Sequence, residues 1–417
     1  MQASYGLATA GSEQVSECRV GSLETVVRSL LLPVLPFLPA CQISEAGPPL
    51  VVQRDSAGIE IVEATRPLWG DSSRWSIDPD PLVDLTLSGN GPRHEFHRLR
   101  DMKQRPDGSL VIADGSSQEV RVFSAAGEFL GSFGGRGDGP GEFRSLRRIE
   151  NAGDTLLALA RGRVTVVAHN LAVVGTFDID PWAIDLHYLD GGRILPEVSR
   201  PVLPMDGLAG RVRRPEPLVL LDLEGTRIDS VGDMRGAEVY VFVRDGSYVG
   251  TAPHFFGKQS HVAARRGHIL RGSSDTMQLE ELDLSGNIVR ILRIPDYPLD
   301  LSDARIASER DFVLDGFTPG HPLRGPFEAA PASDTRPAFT DILVDPSGAV
   351  WLELHRGETE QDQPEEWLVL DANGTWLGIV EMPARFRVAG ITMDAVLGVR
   401  EDALDVQHPQ VLRLTRN

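Results

Sequence analysis

The sequence predicts an all-β fold in which a unit of four short strands repeats around a central channel, as in a six-bladed β-propeller. The 417 residues include 42 glycines and 29 prolines, a composition typical of a chain that turns often. The segments 89–99 and 137–146 align with each other, and their phenylalanines, Phe96 and Phe143, lie 47 residues apart. A repeat of about 40 to 50 residues with several strands indicates a propeller blade.

The first 40 residues are predicted to be a signal segment. Arg28 precedes an apolar stretch over 30–38, and a small residue, Ala40, precedes Cys41. With Leu38 three residues before the cysteine, this segment resembles a bacterial lipoprotein signal peptide. The resemblance implies lipidation at Cys41 and a mature protein that faces the periplasm or the exterior. Residues 1–25 do not resemble such a signal, which places the true start near residue 26 or 27.

Two alternatives to a lipid anchor remain open: secretion without an anchor, and a buried apolar strand of a cytoplasmic protein. Residues 41–58 are predicted to be a tether, and residues 59–417 the propeller. The first repeat shows the expected anatomy, in which alternating apolar runs are separated by turns such as Asp107-Gly108. Its four strands are predicted at 101–104, 109–113, 119–123 and 129–133.

Six such units are predicted from the recurring turns. They begin near residues 98, 145, 183, 260, 339 and 388. Because the last unit offers only three strands, Leu82–Leu87 is expected to supply the fourth and to close the propeller. Insertions are expected near 235–258 and 296–338, the second with a short helix over 299–314 capped by Ser302.

The junction after the first repeat carries a family resemblance. The stretches Phe123–Gly134 and Gly135–Phe143, the second reading Gly-Arg-Gly-Asp-Gly-Pro-Gly-Glu-Phe, resemble NHL-repeat-type propellers. The resemblance implies six blades and a protein that binds a ligand on one face. It implies no particular activity, because propellers carry many unrelated functions.

Charge and composition exclude several classes of function. A net charge of −19 argues against nucleic-acid binding, which needs a basic face. No apolar run reaches the roughly 18 to 20 residues of a membrane-spanning helix, so membrane contact is expected only through the lipid anchor. Both cysteines, Cys18 and Cys41, lie in the first tenth of the chain, which leaves no disulfide or cysteine-based zinc site for the body. We expect a monomer.

Histidine spacing gives only a weak metal signal. His94 and His97 lack the spacing of the His-Glu-x-x-His zinc motif. His254, His261 and His268 are spaced by seven, which on strands places neighbours on opposite faces. Three histidines can hold zinc, so this set stays an alternative to ordinary strand histidines. No catalytic residue and no bound metal or cofactor is predicted from these patterns.

The first strand of each unit is expected to line the central channel, and counting back from each unit's first turn places one charged or titratable residue near one mouth. These residues are Asp101, Arg147, Asp185, His261, Asp341 and Arg387. Clustered carboxylates suit a hard cation such as calcium, whereas alternating charge suits a polar or zwitterionic ligand. The plainer alternative is a solvated ring of salt-linked strand ends.

Two functions follow from these observations. The first is a lipid-anchored extracytoplasmic binding module for an envelope protein, a peptide or a glycan, supported by the anchor, the repeats and the lack of catalytic motifs. The second is a propeller enzyme, a lactonase-like hydrolase or a lyase with calcium or zinc in the central channel. A metal bound to the purified protein would favour the second.

Overall fold

The computed structural model describes residues 49–203, 207–360 and 362–417. These residues are mainly strands. Before residue 200 the strands are β1 (Val51–Ser56), β2 (Ile59–Ala64), β3 (Trp75–Asp84), β4 (Leu99–Gln104), β5 (Leu110–Asp114), β6 (Glu119–Phe123), β7 (Phe129–Gly134), β8 (Leu146–Ala152), β9 (Thr155–Ala160), β10 (Arg163–Ala168), β11 (Val173–Asp178), β12 (Ala183–Leu189) and β13 (Arg193–Val198).

The second half of the chain adds two helices to the remaining strands. These elements are β14 (Gly210–Leu221), β15 (Arg227–Arg244), β16 (Ser247–Pro253), β17 (Ser260–Arg265), β18 (His268–Ser273), β19 (Gln278–Leu282), β20 (Ile288–Arg293), α1 (Asp303–Asp315), α2 (Arg324–Ala329), β21 (Asp341–Val344), β22 (Val350–Glu353), β23 (Glu366–Leu370), β24 (Trp376–Glu381), β25 (Phe386–Ile391), β26 (Ala395–Glu401) and β27 (Gln407–Arg416). No helix of the described residues is both long and apolar enough to cross a membrane.

Within the described ranges, the strands pair into six sheets. The strand orders are β4-β5-β6-β7, β11-β10-β9-β8, β12-β13-β14-β15-β16, β1-β2-β20-β19-β18-β17, β21-β22-β23-β24 and β25-β26-β27-β3. The first strands of successive sheets, β4, β8, β12, β17, β21 and β25, contact each other in that order, and β25 contacts β4 again. This closed ring of inner strands is the architecture of a β-propeller, as the repeats predicted.

The hydrophobic core lies between the sheets, because each sheet is covered on both faces by its neighbours. Phe96 and Met102, for example, pack on Leu397 and Val411 between the first and last sheets. Phe143 joins a cluster between the first two sheets, so both phenylalanines of the 47-residue repeat are core residues at equivalent junctions. The spacing of the sequence repeat therefore reflects the spacing of these interfaces.

An N-terminal strand completes the last sheet, but its position differs from the prediction. The closing strand is β3, Trp75–Asp84, which pairs antiparallel with β27; the predicted Leu82–Leu87 overlaps only its end. Pro79 and Pro81 lie within β3 and would interrupt a central strand, yet β3 is an outer strand of its sheet, where proline is tolerated. Residues 85–87 instead form a turn in which the Asp84 carboxylate accepts the Thr86 N–H at 2.9 Å.

A second N-terminal addition has no counterpart in the sequence prediction. Strand β1 lies inside the range 41–58 that was predicted to be a tether, and it pairs with β2. Strand β2 then runs parallel to β20, with Ile61 opposite Ile291. The residues before 49, which include the predicted signal segment and Cys41, lie outside the described part of the chain.

The two ranges expected to hold insertions form one extra layer. In the first, β15 and β16 extend the third sheet to five strands. In the second, α1 begins after Ser302, whose hydroxyl accepts the Arg305 N–H at 3.2 Å, so the predicted helix and its cap are both present. Phe242, Phe255 and Phe327 of these segments share a hydrophobic cluster apart from the sheet interfaces.

Candidate functional site

The inner strands surround a polar cavity of about 520 Å³. Of the six residues predicted from the sequence, Asp101, Asp185, Asp341 and Arg387 line this cavity. His261 lies on β17, whose following residues line the cavity, and its own ring packs 6.0 Å from the ring of Phe339. The three aspartates thus converge on one space from three different sheets.

Arg147 lies one residue before the position of its strand that faces the cavity. Its guanidinium donates to the Ala183 carbonyl at 2.9 Å, while Arg148 lines the cavity in its place. The pairing of β8 with β9 shifts between Leu146 and Arg148, just as the pairings of β4 and β12 shift immediately before Asp101 and Asp185, so Arg148 is the equivalent residue of its sheet. Counting back from the turn is one residue off here because only two residues join β8 to β9, whereas five join β4 to β5.

Each of the three aspartates makes the same type of hydrogen bond to the backbone. Each carboxylate accepts the N–H of the residue that follows it, at 2.9 Å from Met102, 2.7 Å from Leu186 and 2.8 Å from Ile342. Asp101 also accepts the Ile149 N–H of the neighbouring sheet at 3.0 Å. These contacts fix each carboxylate beside the cavity in a defined orientation.

On one side of the cavity, acidic and basic groups neutralise each other. Arg148 donates to Asp185 at 3.1 Å, and Lys103 lies 3.3 Å from Glu150. Burial acts to raise the pKa of Asp185, but His187, Arg148 and Lys103 together hold that pKa below its usual value. This side is a charged network with its ion pairs already formed.

A second ion pair extends the same network. The Nε2 atom of His187 lies 3.5 Å from a carboxylate oxygen of Glu197, the residue paired with Asp185 across β12 and β13. Burial acts to lower the pKa of His187, but Glu197 and Asp185 raise it overall. This raised pKa widens the pH range over which His187 carries a positive charge on this side of the cavity.

On the other side, two carboxylates face the cavity with no ion-pair partner among the described residues. Asp341 and Glu353 are directly paired across β21 and β22. Burial raises the pKa of Asp341. Burial, and then the charges of Glu365 and Asp341, raise the pKa of Glu353 to about 7. Like charges opposite each other on adjacent strands are destabilising, so this pair does not stabilise the fold and is a candidate ligand-binding group.

The nearest cation on this side is already engaged. Arg356 donates to Glu365 at 2.8 Å, and both residues line the cavity next to Glu353. Arg387 donates to the Leu99 carbonyl at 3.2 Å and remains exposed to solvent. The cavity is therefore polar throughout. Asp101 and Arg387 also have no ion-pair partner among the described residues, but Asp341 and Glu353 are the two unpaired carboxylates that lie directly opposite each other.

The sequence prediction missed eight of the twelve charged or titratable residues that line the cavity. Lys103 and His187 lie two positions after the predicted Asp101 and Asp185, and alternate residues of a strand face the same side, so their signal was present in the sequence. Glu150 lies two positions after Arg148, which the prediction did not select. Glu197 and Glu353 lie on second strands and become visible only once the pairing register is known. Among the described residues, no group of three or more His, Cys, Asp or Glu side chains is arranged to hold a metal.

Comparisons with known proteins give low similarities. A putative exported protein of Bacteroides fragilis aligns at 10% identity and a TM-score of 0.49, covering 85% of this chain and 98% of its own. A member of the DUF4221 family from Bacteroides vulgatus aligns at 10% identity and a TM-score of 0.49, covering 82% of this chain and 99% of its own. A streptogramin B lyase aligns at 10% identity and a TM-score of 0.40, covering 83% of this chain and 100% of its own. No family model and no curated protein matches the sequence. At 10% identity, none of these similarities assigns an activity to this chain.

Proposed function

We propose that the chain is a six-bladed propeller that acts as a binding module, and that its central cavity holds the amino group of a peptide or an amino sugar. The observation that carries this proposal is the unpaired carboxylate pair, Asp341 and Glu353, in a cavity of about 520 Å³. A protonated amine placed between the two carboxylates would remove their repulsion and form charge-assisted hydrogen bonds.

The rest of the cavity fits the polar remainder of such a ligand. Arg148 and Arg387 line the wall and suit an anionic or hydroxyl-bearing group, so the cavity offers both signs of charge to a zwitterion. The proposal thus keeps the peptide or glycan class expected from the sequence and narrows it to members that carry an amine.

One observation favours an enzyme as a second candidate. A carboxyl group with a pKa of about 7 can accept or donate a proton near neutral pH, and Glu353 meets that condition. In that case Glu353 would serve as general acid or base for a hydrolysis or lyase reaction on a substrate held in the same cavity. Turnover of a bound ligand would separate this candidate from a binding module.

We expect amine ligands to bind more tightly as the pH rises from about 5.5 to about 7.5. Over this range Glu353 loses its proton, since its pKa is about 7, while the α-amino group of a peptide, whose ordinary pKa is about 7.7–8.0, stays mostly protonated. Isothermal titration with amino acids, dipeptides and amino sugars should identify a ligand. Glu353→Gln should then weaken its binding at about pH 7.5 by about tenfold or more and flatten the pH profile.

The matched control is Glu224→Gln, at an exposed turn outside the cavity, which should leave both affinity and pH profile unchanged. A ligand that binds equally well to Glu353→Gln and to an Asp341→Asn variant would rule out the carboxylate pair as the binding group.

We also propose that the protein is anchored by lipid at Cys41 on the outer side of a membrane. The order Arg28, apolar 30–38, Ala40 and Cys41 supports this. Stable anchoring needs two or more lipid signals, which an acylated N-terminal cysteine provides. We expect Cys41→Ala to move the protein from the membrane fraction to the soluble fraction. Ser44→Ala, three residues after the cysteine, is the control, and equal membrane retention of the Cys41 variant would refute the anchor.

A further inference from the structure

The inserted segments form a compartment beside the central cavity. A cleft of about 870 Å³ lies between the start of α1 and the sheet β21-β22-β23-β24, and a pocket of about 410 Å³ lies beneath α1. Both are lined by Phe256 and His355, so they adjoin. Arg356 lines the cleft and the central cavity, which places this compartment next to the channel.

The walls of the pocket are mainly aromatic and aliphatic, although His254, Gln259 and Glu309 also line it. Phe255, Phe327 and Val313 form its walls together with Phe256, whose ring lies 5.6 Å from that of His355. Phe312, on α1, also lines it and remains 51% exposed, which is high for a large aromatic side chain. An exposed phenylalanine at the mouth of an apolar pocket is typical of a site that receives an apolar group.

The cleft, in contrast, is positive at its inner end. Arg305, Arg336 and Glu360 are half-buried there beside His355, whereas the carboxylates Asp300, Glu366 and Glu381 lie exposed at the rim. Exposed charges are screened by water and salt more strongly than partly buried ones. Because the pKa of His355 is lowered to about 4 and Arg305 is paired with Glu360, the positive potential at the inner end is that of Arg336.

The positive charge of Arg336 is not balanced by an ion pair. Arg305 pairs with Glu360 at 2.6 Å, but no carboxylate of the described residues lies within ion-pair distance of Arg336. Arg336 donates to the Pro298 carbonyl at 3.2 Å and is hydrogen-bonded to the Tyr297 hydroxyl. The Nδ1 atom of His355 and the Nε atom of Arg305 are buried without hydrogen-bond partners. Burial, followed by the charges of Arg336 and Arg305, lowers the pKa of His355 to about 4.

We propose that this compartment is a second binding site, for a small organic anion with an aromatic or branched apolar body. The apolar body occupies the pocket beneath α1, and the anionic group lies in the cleft against Arg336 and the unpartnered nitrogens of Arg305 and His355. The site is distinct from the carboxylate pair of the central cavity, and it goes beyond the function proposed above because it selects the opposite charge.

The test uses two fluorescent probes on the full chain. The first, 8-anilinonaphthalene-1-sulfonate, combines an aromatic body with an anion; the second, N-phenyl-1-naphthylamine, has a similar body without the anion. We expect the sulfonate probe to saturate a single site. Arg336→Gln should weaken it by about tenfold or more without changing the neutral probe, whereas Phe312→Ala should weaken both probes by about tenfold.

Matched controls lie outside the compartment. Arg244→Gln removes an exposed arginine of the same inserted layer, and Leu130→Ala removes an apolar side chain that is 59% exposed. Neither should change either probe, and nor should Asp341→Asn, which separates this site from the central cavity. If Arg336→Gln does not fold, the unmodified protein still decides the point, because rising salt should weaken only the sulfonate probe. Non-saturable binding, or equal effects of Arg336→Gln and Arg244→Gln, would overturn the proposal.

Discussion

Deletion of residues 49–84 is expected to abolish cooperative folding. This deletion removes β3, which pairs with β27 from Arg416 to Gln410 and closes the last sheet. It also removes Trp69 and Trp75, whose rings lie 5.3 Å apart and pack toward Trp351 of the neighbouring sheet. The loss of a closing strand leaves β27 as a free edge, so the cost should approach the whole stability of a domain, about 5–15 kcal/mol.

Circular dichroism during thermal unfolding, together with size-exclusion chromatography, would measure this effect. The matched control deletes only residues 49–58, because β1 pairs with β2 alone and is mostly exposed. That shorter deletion should leave a monomer with a cooperative transition. If the longer deletion also unfolds cooperatively at an unchanged temperature, closure by β3 is not what stabilises the fold.

The sequence predicted most strongly what local patterns encode. In the first repeat, strands predicted at 119–123 and 129–133 appear as Glu119–Phe123 and Phe129–Gly134. Turns such as Asp107-Gly108 set these boundaries, since Gly108 adopts a φ of 86° that other residues rarely tolerate. Counting back from these turns placed Asp101, Asp185 and Asp341 near one channel mouth, and all three line the central cavity.

The features that could not be predicted from the sequence are those that depend on pairing between distant strands. The parallel pairing of β2 with β20 joins segments about 230 residues apart, and no turn between them signals it. The position of Arg148 rather than Arg147 at the cavity depends on the two-residue connection between β8 and β9, which is shorter than the connection between β4 and β5. The partnership of Asp341 with Glu353 required the same knowledge of register. The sequence thus predicted where the three aspartates lie, but it did not predict that Asp341 and Glu353 form an unpaired carboxylate pair.

Substitution of Arg265 by methionine is expected to lower the free energy of unfolding by about 1–3 kcal/mol, the usual cost of leaving a buried acceptor without its donor. Arg265 is 2% exposed, and its guanidinium lies 2.6 Å from Glu281. It also donates to the carbonyls of Ala372 at 2.7 Å and Gly348 at 3.2 Å, both in turns of the adjacent sheet. One side chain therefore joins two sheets. Its loss leaves the Gly348 carbonyl without this donor, and it leaves Glu281 with only the more distant Arg290 at 3.9 Å and His268 at 3.5 Å.

Urea unfolding would measure this difference, with Arg271→Met as the matched control. Arg271 donates to Glu280 at 2.9 Å on the neighbouring strands, but that pair is partly exposed, so its loss should cost only about 0–1 kcal/mol. The double variant Arg265→Met/Glu281→Leu should be more stable than Arg265→Met alone, because it removes the buried carboxylate that has lost its nearest cation. Equal costs for Arg265→Met and Arg271→Met, or a double variant less stable than the single one, would show that the buried pair does not hold the two sheets together.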